Sequence, residues 1–215
     1  MSDAPTAASA RRSSAGIVLA GGRASRFGAD KLAIVIDGRP LLLHAIDAVA
    51  AVCSEVIVVT AAGSDAAGPL DVGAQPVPLR WTRDQVADRG PLAGLLAGLE
   101  KTTAATVIVV GGDMPSLVPA VLALLLDRLG AGVEAAALAD GDSLRPLPAA
   151  LTRTAALAAA TTLTPDRPGL RDLLARLRTE LVPEAEWRLV DPTGASLLDV
   201  DRPADLARLD VAPTR

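Results

Sequence analysis

Gly16-Ile-Val-Leu-Ala-Gly-Gly-Arg-Ala-Ser-Arg-Phe-Gly-Ala-Asp-Lys31 joins two kinds of sequence in one short stretch. Gly16 to Ala20 is apolar and partly β-branched, and reads as a buried strand. Gly21 and Gly22 then leave the strand end, where the missing Cβ atoms let backbone N–H groups come close to a ligand. Arg23, Arg26 and Lys31 supply positive charge, and Gly28 permits another tight bend. Backbone donors plus cations are the parts of a phosphate cradle. The spacing is neither the G-x-x-x-x-G-K-[ST] of a P-loop nor the G-x-G-x-x-G of a dinucleotide fold. On these residues alone, a glycine-containing βα turn with a solvated charged face stays open as the plainer alternative.

Similar apolar runs recur along the chain, separated by helical patterns. Strands are expected at Glu55 to Thr60, Leu79 to Thr82, Thr106 to Val110, Glu134 to Leu138 and Leu147 to Leu151. Two late ones are expected at Arg188 to Val190 and Leu197 to Val200. Pro40 to Val52 reads as a helix with Leu42, Ala45, Ile46 and Val49 on one face. Pro91 opens a helix to about Glu100, and Ser116 is expected to cap a Leu-rich helix ending near Leu129. Further helices are expected at Thr154 to Ala160, Gly169 to Leu177 and Pro203 to Leu209. Uninterrupted apolar strands alternating with helices mean a parallel sheet covered on both faces. The fold expected is therefore α/β: a single three-layer domain over residues 16–210 with a mostly parallel, Rossmann-like sheet. Residues 1–15 read as a disordered tail.

Composition removes several functions. The 215 residues are 50% hydrophobic and 21% charged, with a net charge of −4 and single His and Cys residues. One His and one Cys cannot supply the four or so N/S ligands of a structural zinc site. One Cys cannot close an internal disulfide. Phe27, Trp81 and Trp187 are the only aromatics, too few and too acidic a setting for a nucleic-acid partner. Arg11-Arg12 resembles an export signal, but the apolar stretch after it runs at once into Gly21-Gly22. The longest apolar run, around Val118 to Leu126, is well short of the ~18–20 residues of a membrane span. A cytoplasmic protein without a membrane partner is expected, as a monomer or small homo-oligomer. His44, Cys53, Trp81 and Trp187 are read as structural. Only two lysines occur, Lys31 and Lys101.

In a parallel α/β sheet ligands bind beyond the carboxyl ends of the strands, so the segments after Ala20, Thr60, Trp81 and Val110 matter most. Val110-Gly-Gly-Asp-Met-Pro115 places Asp113 at a strand end. A carboxylate beside a phosphate cradle suits Mg²⁺, which takes one or two carboxylates plus substrate phosphates. A lone strand-end Asp is otherwise more often a helix cap.

These residues carry a resemblance. L-A-G-G-x-x-S-R-F-G-x-D-K is similar to the signature of Rossmann-like nucleotidyltransferases, in particular the molybdenum cofactor guanylyltransferases of the MobA-like type. Sugar-nucleotide and isoprenoid-precursor relatives usually carry Pro before the Lys, so Asp30-Lys31 favours the molybdenum branch. Asp84 to Gly94 resembles the family's D-x-x-x-x-x-G-P-L-A-G segment, and Leu198 to Leu206 its closing N-x-N-T-P-E-D-L, with Asp199 and Asp201 in place of Asn. Thr60 stands where Asn is frequent, and Arg145-Pro146 where His-Pro is frequent. The resemblance implies that Leu19, Ala20, Gly21, Gly22, Lys31, Thr60, Asp84 and Asp113 bind the nucleotide. It implies catalytic roles for Arg26, Lys31 and Asp113, and a Mg²⁺ cofactor held by Asp113 and Asp201. Gly90, Ala93 and Gly94 would let a helix start approach a phosphate or ring. GTP, or another NTP, would react with a molybdopterin-type phosphate acceptor. Transfer from CTP, or to another small phosphate acceptor, stays open, as does a non-catalytic nucleotide-binding regulator.

Overall fold

Strand β1 (Ala15–Ala20) is the organising element of a seven-stranded sheet in the order β5-β4-β1-β6-β8-β7-β9. The computed structural model describes residues 13–21, 32, 34–61, 73–84, 90–163, 168–202 and 204–206. The other strands are β4 (Glu55–Thr60), β5 (Leu79–Arg83), β6 (Thr106–Gly111), β7 (Ala135–Asp140), β8 (Ser143–Thr152) and β9 (Thr179–Val182). A separate two-stranded ribbon is formed by β2 (Val35–Ile36) and β3 (Arg39–Pro40). Strands β5, β4, β1 and β6 pair in parallel, and only β8 runs against its neighbours β6 and β7. The expected mostly parallel α/β sheet is therefore present.

Alternate side chains of each central strand enter opposite layers, as the two-residue strand period requires. Val18, Val56, Val58, Ile108 and Val110 pack under α1 (Leu41–Ala50), α3 (Pro119–Asp127) and the buried Trp187 of α6 (Glu184–Trp187). Ile17, Leu19, Ile57, Val59, Val107 and Val109 pack under α2 (Pro91–Leu99), α4 (Arg153–Ala160) and α5 (Leu170–Arg176). Helix, sheet and helix make three layers. The indole N–H of Trp187 donates to the Ala139 carbonyl (2.9 Å), so this large side chain is buried without a lost hydrogen bond. His44 Nε2 donates to the Ile36 carbonyl (3.0 Å) and pins the small ribbon to α1. Cys53 is buried, and that burial, helped by the nearby Glu55, pushes its thiol up to about 12. Both residues are structural, as expected, and Trp81 packs at the edge of the core.

The C-terminal quarter departs from expectation. Arg188 to Val190 is not a strand: the N–H groups of Arg188, Leu189 and Val190 are taken by the carbonyls of Glu184, Glu186 and Trp187, which continues α6 as a turn. Leu197 to Val200 is not a strand either. It is the end of a 3₁₀ turn (Ala195–Leu197) followed by an extended segment outside the sheet. The edge strand is instead β9, paired in parallel with β7. Ser116 does not cap α3, which begins at Pro119; the Val118 N–H is taken by the hydroxyl of Ser196 (3.0 Å), 78 residues away. Of the expected last helix, residues 204–206 form one 3₁₀ turn. The remainder lies outside the described residues. No helix among the described residues is long and apolar enough to cross a membrane.

Candidate active site

The register of the sheet gathers the strand ends. Ala20 lies opposite Thr60, Thr60 opposite Arg83, and Leu19 opposite Gly111, so β1, β4, β5 and β6 finish on one edge. The loops leaving that edge are tied to one another through the backbone. Gly112 N–H donates to Leu19 O (2.9 Å), and Asp84 N–H donates to Thr60 O (2.8 Å). A Cβ on Gly112 would sit 3.2 Å from Leu19 O and 3.0 Å from Leu42, so glycine lets these two strand ends meet. A Cβ on Gly111 would run into the carboxylate of Asp113, which folds back over the end of β6.

Leu19, Ala20, Gly21, Thr60, Asp84 and Asp113 are thus brought to a common edge. Gly22, Arg26 and Lys31 lie outside the described residues. The Thr60 side chain is buried and its hydroxyl donates to Thr82 O (3.4 Å), which turns it toward the neighbouring strand. Gly94 lies against the end of β1. A Cβ there would lie 3.2 Å from Leu19 Cδ2, so its smallness serves the packing of α2 on β1.

A C-terminal strap, residues 191–201, brings the second group of carboxylates. Val200 N–H donates to the backbone carbonyl of Asp113 (2.9 Å), which lays Asp199 and Asp201 beside Asp113. Partial burial, then the nearby Asp201, and also Asp113 hold the Asp199 carboxyl above its ordinary range, while Arg145 opposes them. Arg145 is carried to this edge by the antiparallel course of β8, which continues past its last pairing with β6 (Val109 with Ala149). Its guanidinium donates to Leu197 O (3.0 Å) and faces Asp140 at 3.6 Å. The Asp205 carboxylate accepts the Asp201 and Arg202 N–H groups (3.0 and 2.7 Å) and caps the final turn. Asp205 therefore does the capping.

Among the described residues no three His, Cys, Asp or Glu side chains converge into a ready-made metal cage. The donor set nevertheless fits Mg²⁺: hard carboxylate oxygens, with Asp199 close enough to feel the charge of both Asp201 and Asp113, leaving positions for phosphate oxygens. Asp191 and Ser196, which hold the strap, were missed in the sequence. The turn chemistry of Asp191-Pro-Thr-Gly194 was the available signal.

Parallel strands ending in glycines and an Asp, closed by a carboxylate-bearing strap, define an α/β nucleotidyltransferase. The model of the MobA-like NTP transferase domain matches residues 16–181, and the chain belongs to that family. A protein of Chloroflexus aggregans described as a "probable molybdenum cofactor guanylyltransferase" is 32% identical over 198 residues, covering 89% of this chain and 90% of its own. A molybdenum cofactor guanylyltransferase of Burkholderia vietnamiensis is 41% identical over 112 residues, 51% of this chain and 53% of its own. The solved structure of molybdopterin-guanine dinucleotide biosynthesis protein A from Archaeoglobus fulgidus shares the fold at a TM-score of 0.73 and 24% identity, covering 90% of this chain and 95% of that one.

Proposed function

We propose that the enzyme transfers GMP from GTP to the terminal phosphate of a molybdopterin-type acceptor and releases pyrophosphate. The observation that carries this is the position of Asp113, whose loop is hydrogen-bonded on one side to the end of β1 and on the other to the strap. The relatives named above, described as molybdenum cofactor guanylyltransferases, support the donor and acceptor. An acceptor phosphate oxygen attacks the α-phosphorus of GTP; the new P–O bond forms as the bond to the bridging oxygen of the β-phosphate breaks. Little covalent chemistry falls to the protein, which positions the two phosphates and meets developing charge. The backbone from Leu19 to Gly22 would hold the nucleotide beside Thr60 and Asp84. Arg26 and Lys31 would face the charge that builds on the leaving pyrophosphate. Asp113 and Asp201 would hold a Mg²⁺ ion, which when bound neutralises phosphate oxygens.

The test supplies the purified protein with Mg²⁺ and each NTP in turn, with and without molybdopterin, and follows pyrophosphate. Release that requires both GTP and the acceptor is expected. Turnover with CTP alone would move the enzyme to another donor. Nucleotide-dependent thermal stabilisation without turnover would make the chain a nucleotide-binding regulator.

A further inference from the structure

The strap that brings Asp199 and Asp201 to Asp113 is itself folded around one buried carboxylate. Asp191 is 2% exposed. Its Oδ1 accepts the Ala195 N–H (3.0 Å) and the Thr193 hydroxyl (3.2 Å), and its Oδ2 accepts the Ser196 N–H (2.8 Å). A buried carboxylate is tolerated only with partners of this kind, so here the acid and the turn specify each other. The turn it closes makes the two contacts that seat the strap. The Ser196 hydroxyl accepts the Val118 N–H at the start of α3, and the Leu197 carbonyl accepts Arg145. Three residues further on, Val200 N–H reaches the carbonyl of Asp113. Each step runs from one hydrogen bond to the next, from Asp191 to the loop of Asp113.

We propose that Asp191 is a positioning residue for the metal carboxylates: through the Ala195–Leu197 turn it sets where Asp201 stands relative to Asp113. The inference rests on the assignment of Asp113 and Asp201 as the metal-holding pair. Asp191 itself touches neither substrate nor metal. It holds the geometry on which a shared cation depends, as outer partners of metal ligands do.

The experiment measures the Kd of Mn²⁺ alone by electron paramagnetic resonance, beside Tm, for the wild type, Asp113→Ala, Asp191→Asn, Ser196→Ala and Leu174→Ala. Asp191→Asn keeps the size of the side chain but sets an amide N–H against backbone N–H donors. Leu174→Ala lowers stability from the helix layer across the sheet. Asp191→Asn is expected to weaken Mn²⁺ by about tenfold, and Ser196→Ala by less in the same direction. The Mg²⁺ requirement of the reaction should rise while kcat at saturating Mg²⁺ changes little. Leu174→Ala should lower Tm with no change in Kd. Should Asp191→Asn fail to fold, Ser196→Ala decides. An unchanged Kd in the folded strap variants overturns the inference and leaves Asp191 as a stabilising residue only. A wild type that ignores Mn²⁺, or an Asp113→Ala variant that binds it equally well, overturns the metal assignment instead.

Discussion

The two sides of the candidate site are built by different means. On the parallel side, β5, β4, β1 and β6 end together because their registers align, and their loops join through backbone bonds such as Gly112 N–H to Leu19 O. On the strap side, nothing is in register. Individual side chains hold it: Asp191 within its own turn, and, across long stretches of sequence, Ser196 on Val118 and Arg145 on Leu197. Arg128 at the end of α3 adds ion pairs to Glu180 of β9 and Glu186 of α6. One side presents main-chain groups and small residues, which suit a nucleotide phosphate. The other presents carboxylates and an arginine whose positions depend on a few individual bonds.

The sharpest way to break this contrast is at the point where the two sides meet. Asp113→Ala should lower kcat/KM at least about a hundredfold, or ~2.7 kcal/mol, with Tm nearly unchanged, because the bond to Val200 uses the backbone carbonyl and survives the substitution. A steady-state assay beside a thermal melt checks both halves. On the nucleotide side, Lys31→Ala should cost at least about tenfold, ~1.4 kcal/mol, expressed in the nucleotide-dependent step. Near-normal rates would remove Lys31 from the chemistry.

A third substitution probes how the parallel side is packed. A Cβ on Gly98 would lie 2.8 Å from Ile17 Cγ2, so Gly98→Val should destabilise the fold by about 1–3 kcal/mol through overpacking. Denaturant titration should record this while the rate per folded molecule stays the same. The smallest effect belongs to the strap. Folding raises the Asp199 pKa, so its ionised form lowers stability at neutral pH. That deficit disappears once the pH falls below the ordinary carboxylate range, where folded and unfolded chains are both protonated. Asp199→Asn should therefore raise Tm slightly at pH 7 without metal, and the gain should vanish in acid. A gain that persists in acid would put its cause outside the charge cluster.

This contrast also explains what could be read from the chain alone. β1, β4 and β6 are built on uninterrupted apolar runs (Ile17 to Ala20, Val56 to Val59 and Val107 to Val110), buried in the middle of the sheet, and a buried parallel strand has that signature. The glycines after Ala20 and Val110 stand at the ends of β1 and β6, Asp113 follows β6, and Asp84 follows the short β5, so locating the strands located these residues. The C-terminal quarter offered no such guide. Arg188-Leu-Val190 looks like a strand by composition, yet α6 claims its N–H groups. Leu197 to Val200 looks like another, yet the hydroxyl of Ser196 and the carboxylate of Asp191 draw it out of the sheet. Thr179–Val182 is short and half polar, and it becomes a strand because β7 has a free edge there. Where distant side chains decide the backbone, local pattern misleads.

The buried Cys53 has a practical side. With its thiol pushed up to about 12 and shielded by the core, the native protein should be silent to maleimides at neutral pH. A single cysteine introduced on the exposed β7–β8 turn, for instance Asp142→Cys, would then take a spin label or fluorophore at one place. That makes movement at the site edge measurable through the mobility of a single label, in a chain that needs no other engineering.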